Sequence, residues 1–154
     1  MHPPSPPVPG IVFRRLQSAG ERRAAESMLA DGGAPAPTVR GQSGGVLFGL
    51  WDLAASDSQA LVAAAATRPL DAGGSVELCG IVVCASLRRR GLGRRLVNEV
   101  ADVLRSEGAE RLVARPEGGQ CPAGPLLAQA GFTAVTDGGD APPGVRLGWR
   151  YLEL

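Results

Sequence analysis

Lysine is absent from this chain, and histidine and tyrosine occur once each, as His2 and Tyr151. Without lysine there is no phosphate loop of the Gly-x-x-x-x-Gly-Lys-Ser/Thr kind, however many glycines the chain holds. A histidine confined to the second position removes histidine-based triads and argues against a His-containing zinc site. Cysteine is scarce. Cys79, Cys84 and Cys121 are odd in number and form no C-x-x-C pair, so they read as reduced thiols of a cytosolic, cytoplasmic protein. Cys79 and Cys84 read further as small apolar residues of a buried strand. No apolar run is long enough to span a bilayer, and the proline-rich start lacks the apolar segment of a signal peptide. The net charge is only +1, which gives no reason to expect a nucleic acid or a membrane as main partner. Hydrophobic residues make up 44% of the chain, enough for a globular core. The 154 residues suit one domain, over positions 11–154, behind a proline-rich tail at 1–10.

What the chain does have is local basic charge in one run: Arg88-Arg89-Arg90-Gly91-Leu92-Gly93-Arg94-Arg95-Leu96. It follows a nearly continuous apolar stretch, 76–84, of the kind a strand covered on both faces requires. It precedes the best helical pattern in the chain, 91–107, whose stripe is Leu92, Leu96, Val97, Val100, Val103 and Leu104, with Gly108 as its stop. Strand, glycine turn and helix N-terminus in that order form a pyrophosphate cradle. The first N–H groups of a helix lack intrahelical partners and face outward toward anions. Arginine adds charge-assisted bonds to phosphate oxygens. The dinucleotide fingerprint is excluded, because Leu96 stands where its third glycine belongs. A solvated basic face and a nucleic-acid patch remain as alternatives for the same arginines.

Periodicity gives the rest of the order. A short strand at 11–16 leads to a helix at 21–30 with Ala24, Ala25, Met28 and Leu29 on one side, then a Gly/Pro/Ser/Thr-rich loop at 31–45. Strands at 46–55 and 60–67 flank a hairpin turn at Ser56-Asp57-Ser58, and Asp71-Ala72-Gly73-Gly74 is a second turn. After the long helix come a strand at 111–115, parallel to the 76–84 strand because a helix joins them, a short helix at 123–130, a strand at 132–135 and a last strand at 145–154. Alternation of Val145, Leu147, Trp149 and Tyr151 along that last strand offers an edge through which a homodimer can form.

Arg88, Gly91 and Gly93 satisfy Arg/Gln-x-x-Gly-x-Gly/Ala. With Glu77-Leu78-Cys79-Gly80-Ile81-Val82-Val83 before it and Ala130-Gly131-Phe132 after it, the chain resembles the GNAT superfamily of acyl-CoA-dependent N-acyltransferases. The resemblance is specific over 75–135. It implies an α/β fold, a central mixed β-sheet flanked by helices, with two parallel strands splayed to hold acyl-CoA. It implies that Ile81, Val82 and Val83 offer main-chain bonds to pantetheine and thioester. It implies that Arg88, Arg89, Arg90, Gly91, Leu92, Gly93 and Arg94 hold the pyrophosphate. The donor would be acetyl-CoA, the acceptor an amine of a small molecule or peptide, and no metal takes part. The family's second helix between the first two strands is replaced here by the 31–45 loop.

Glu77, six residues before Val83, matches the general-base position of histone-type members. A carboxylate taken out of water by apolar neighbours holds a proton more readily, which suits a base working near neutrality. The other reading is a strand-end carboxylate paired with an arginine. Two departures from the family stand out. Leu127 occupies the place of the tyrosine that often protonates the leaving thiolate, and Cys121 that of a common asparagine. A catalytically inactive acyl-CoA-binding sensor or assembly module is therefore the second reading of the chain, and a nucleic-acid-binding domain the third.

Overall fold

The structure, a computed structural model, describes residues 10–31, 45–53, 60–70, 74–84, 91–115, 124–137 and 139–154. In chain order its elements are β1 (Ile11–Arg15), α1 (Ala19–Asp31), β2 (Val46–Asp52), β3 (Ala60–Pro69), β4 (Ser75–Val83), α2 (Leu92–Ser106), β5 (Arg111–Ala114), α3 (Gly124–Gln129), β6 (Thr133–Ala134) and β7 (Arg150–Glu153). The strands form one mixed sheet of order β1-β2-β3-β4-β5-β7-β6. All described neighbours are antiparallel except β4 and β5, which α2 joins as a parallel crossover.

Side-chain alternation in the central strands feeds two cores. Phe48 and Leu50 of β2 and Ala63 and Ala65 of β3 pack with Leu92, Leu96, Val97, Val100 and Leu104 of α2. Leu47 and Trp51 of β2 and Ala64 and Ala66 of β3 pack with Ala25 and Leu29 of α1 on the opposite face. The sheet is therefore covered on both sides, and β2 buries five consecutive residues as such a strand must. Residues 63–66 are all alanine, and these small side chains give the larger leucines of both helices room to seat against the sheet.

Helix α1 begins two residues before the expected position because Ser18 caps it. The Glu21 amide donates to Ser18 Oγ at 3.1 Å and the Ser18 amide donates back to Glu21 Oε1 at 3.3 Å, the reciprocal pair that Ser-x-x-Glu forms. The Ser18 amide, then its hydroxyl, the Gln17 amide and the Arg14 charge hold the Glu21 carboxyl below its ordinary value. Helix α2 ends as its sequence predicts. Gly108 takes φ +90, and the Ala109 amide reaches back to the Leu104 carbonyl at 2.9 Å.

The chain's end departs from the expected strand at 145–154. Only Arg150–Glu153 is strand. Gly144 and Gly148 adopt φ +82 and +87, and the Trp149 amide closes a tight turn onto the Arg146 carbonyl at 3.1 Å, so of the four alternating side chains only Tyr151 lies in a strand. Val145 is buried against Val113 and Val135, whereas Leu147 is 63% exposed. Strand β7 lies between β5 and β6, so the open edge expected for a homodimer is occupied where Thr133 and Ala134 pair with Tyr151 and Arg150. The expected strand at 132–135 is reduced to two residues. The tail at 1–9, most of the loop at 31–45, the hairpin turn at 56–58 and most of the turn at 71–74 lie outside the described residues.

Two outcomes follow from this packing. Leu96→Ala removes a fully buried side chain at the centre of the α2 face and should cost about 2–5 kcal/mol in urea unfolding. Ser18→Ala should cost about 1 kcal/mol at neutral pH. Because the Glu21 carboxyl is held low, its contribution is present above its unfolded-state value and is lost as the pH falls through the folded one. Wild type and Glu21→Gln should therefore differ in unfolding midpoint at neutral pH and converge in strong acid.

Candidate acyl-CoA site

Strand β4 outruns its parallel partner. The β4–β5 ladder pairs Ser75, Val76 and Glu77 with Arg111, Leu112 and Val113 and goes no further. Beyond it β5 ends at Ala114, while β4 runs on to Val83 with Ile81, Val82 and Val83 paired to Ala65, Ala64 and Ala63 of β3. The two parallel strands thus part after Glu77, and the β4 residues past the fork keep β3 on one side only among the described residues. Ile81, Val82 and Val83 are half-buried along that open arm.

Helix α2 starts at the end of the same arm. Its N-cap is Gly91, at φ 76 and ψ 8, and no side chain caps the helix. The left-handed conformation is the reason for glycine at this position, since a Cβ there would meet nothing within 4 Å. The Arg95 amide closes the first turn onto the Gly91 carbonyl at 3.0 Å. The amides of Leu92, Gly93 and Arg94 precede it, in the part of a helix that has no intrahelical acceptors. The first turn holds no acidic residue to oppose an anion. Leu92 itself is buried in the core, so only its main chain faces the site, and Arg94 is half-buried.

Gly93 has a further, steric reason to be glycine. A Cβ there would lie 2.9 Å from Leu126 Cδ2 and 3.3 Å from Val83 Cγ2. The missing side chain lets α2 close onto α3 and onto the tip of β4, which brings the helix N-terminus beside the fork. Arg95 turns away from the site. It donates to the Ile11 carbonyl at 3.0 Å and lies 3.8 Å from Glu99. Arg88, Arg89 and Arg90 lie outside the described residues.

Glu77 sits at the crotch of the fork, and it is not an open carboxylate. It is 3% exposed. Arg68, its register partner on β3, donates through Nε to Oε1. Arg115, the residue after β5, donates through Nε to Oε2 and through Nη2 to Oε1 at 3.0 Å. The Arg115 guanidinium also lies 5.6 Å from the centre of the Trp149 ring. The structure therefore has the arginine-paired carboxylate, the other of the two readings of Glu77. Among the described residues Oε1 accepts two of these bonds and Oε2 one. Sequence reasoning missed Arg68 and Arg115 as partners; the signal for Arg68 was its place across the turn from Glu77.

The two departures resolve differently. Leu127 is 1% exposed in the α2-side core, so its position offers an apolar wall and no proton donor. Cys121 lies outside the described residues. Tyr151 is half-buried within the sheet, in register with Val113 and Thr133. Among the described residues no group of three or more His, Cys, Asp or Glu side chains could hold a metal ion, and no helix is long and apolar enough to cross a membrane.

The fold has known counterparts. The backbone superposes on Tetrahymena GCN5 with a TM-score of 0.69 at 15% identity, over 92% of this chain and 95% of that one. An acetyltransferase from Bacillus subtilis in complex with CoA gives 0.66 at 16% identity, over 94% and 99% of the two chains. The GNAT family N-acetyltransferase YhbS from Escherichia coli, also in complex with CoA, gives 0.68 at 18% identity, over 97% and 84%. No curated protein sequence matches the chain. The sequence model of the acetyltransferase (GNAT) family matches residues 24–132, more than half of the chain, and the match spans the fork, the αL glycine and the helix behind it: the protein belongs to the GNAT acetyltransferase family.

Proposed function

We propose that this protein transfers an acetyl group from acetyl-CoA to an amine of a small molecule or peptide. The observation that carries the reading is the uncapped N-terminus of α2, opened by Gly91 and packed by Gly93 against the tip of β4, where β4 and β5 have parted. An extended pantetheine arm fits the side of β4 that β5 leaves, bonding to the main chain of Ile81, Val82 and Val83. Its pyrophosphate then meets the first amides of α2 and Arg94, with Arg88, Arg89 and Arg90, which precede the helix in sequence, as further proposed partners. The CoA carried by the B. subtilis and E. coli relatives supports this donor. The three cysteines, odd in number and without a C-x-x-C pair, support a reducing, cytoplasmic setting.

In the reaction the amine nitrogen attacks the thioester carbonyl carbon, the C–N bond forms, and collapse of the tetrahedral species breaks the C–S bond. The sulfur leaves as thiolate. A thiol titrates near pH 8.5 by analogy with cysteine, so it leaves without a dedicated acid, as buried Leu127 requires. Water takes the proton the amine loses.

A second reading, an acyl-CoA-binding module without turnover, is favoured by the same two features, sealed Leu127 and doubly paired Glu77. A CoA-release screen across amino acids, polyamines, aminoglycosides and peptide N-termini decides between them. Turnover with at least one amine is the expected result, and its pH–rate profile should have no falling limb from a phenol near pH 10. CoA binding with no turnover selects the module. Gly91→Asp puts a negative side chain beside the phosphates and should abolish CoA binding in calorimetry while circular dichroism stays near wild type. Unchanged affinity would remove the site from α2.

A further inference from the structure

We infer that Glu77 is a positioning residue: with Arg68 and Arg115 it sets the fork in which the acyl-CoA arm lies, and it does not take the amine proton. The inference rests on the reading that this fork holds acyl-CoA. Its ground is the place and spread of one ion cluster. Glu77 belongs to the last rung of the β4–β5 ladder, so the first residues of the two diverging arms are Leu78 and Ala114. Arg115 stands one residue along the β5 arm and reaches back across the gap with a two-point grip on the carboxylate. Arg68 holds the same carboxylate from β3 on the other side. Trp149, two residues before Tyr151 in the segment entering β7, lies against the Arg115 guanidinium.

One carboxylate thereby ties β3, β4, the exit of β5 and the approach to β7 at the point where the sheet opens. A planar guanidinium bonded through two nitrogens fixes direction as well as distance, which a lysine ammonium cannot do. The chain leaving β5 can rotate away from β4 only by breaking that grip. The base role requires the reverse. Here two guanidinium groups already occupy the carboxylate from both sides. The side chain is 4% exposed, so an amine reaches it only if an arginine moves.

The test measures CoA affinity by calorimetry, thermal midpoints by circular dichroism and, with an amine found in the release screen, kcat and its pH profile. Wild type, Glu77→Gln, Arg115→Lys and the double variant are compared. Each single variant should weaken CoA binding about tenfold or more, and the double should bind no more weakly than the worse single, because both remove one shared contact. At saturating acetyl-CoA, kcat should stay near wild type, and the rising limb of the pH profile should survive in Glu77→Gln. A proton acceptor behaves otherwise. Glu77→Gln would then lose about two orders of magnitude in kcat together with the rising limb, CoA affinity would hold, and Arg115→Lys would resemble wild type. That pattern overturns the inference. So does a lowered thermal midpoint with unchanged affinity in both variants, which marks a role in stability alone. If Glu77→Gln does not fold, Arg115→Lys decides by itself, and unchanged CoA affinity there overturns the inference. Wild-type protein that binds no CoA overturns the acyl-CoA reading and this inference together, whereas binding by wild type with unaltered variants overturns this one only.

Discussion

The candidate acyl-CoA site depends on one interruption, the stop of the parallel β4–β5 ladder at Glu77 and Val113. A buried strand must find partners for its main-chain groups, and past the fork β4 keeps its ladder with β3 while the described ladder with β5 has ended. A ligand with amides spaced like a peptide can take the other side. The same interruption frees the tip of β4 for contact with α2. That helix can come close because Gly93 has no side chain to strike Leu126 or Val83. The cradle and the fork are therefore one construction, since the glycine that seats the helix also sets the distance between the phosphate donors and the open strand.

Much of this was legible in the chain. The stripe Leu92, Leu96, Val97, Val100 and Leu104 specified α2 and its buried face, and Gly108 specified its end. The nearly continuous apolar run of β4 announced a strand covered on both faces. Local patterns suffice for such elements because the periods of helix and strand are local properties. The capping box Ser18-x-x-Glu21 went unread, and it places the start of α1 two residues before the apolar pattern does.

The departures share a cause in contacts between residues distant in sequence or in glycine conformations that a pattern does not reveal. Alternation at 145–154 is a strand signal, and Gly144 and Gly148 override it by taking positive φ. Gly93 reads in the motif as a glycine for close approach of a ligand, and the structure supplies a packing reason from α3, over thirty residues away. The partners of Glu77 were the hardest to see. Arg68 meets it through the β3–β4 register, which contains a shift between Ala66 and Thr67, and Arg115 through a crossover whose length the sequence gives but whose closing geometry it does not.

The ion cluster also bears on how the chemistry is divided. A buried salt bridge is a poor source of net stability, and well-packed apolar replacements of such clusters are often neutral or more stable by about 1–4 kcal/mol. Val113, in register beside Glu77, shows that an apolar residue fits this row of the sheet. What the cluster supplies that an apolar side chain lacks is direction, since Arg115 must meet the carboxylate edge-on to make both bonds. Direction matters most at the crotch, where a small rotation of one arm is amplified along its length. Beside an apolar Leu127 that can give no proton, this suits the proposed function, in which the site holds a thioester and an amine in line and leaves the proton transfers to the thiol and to water.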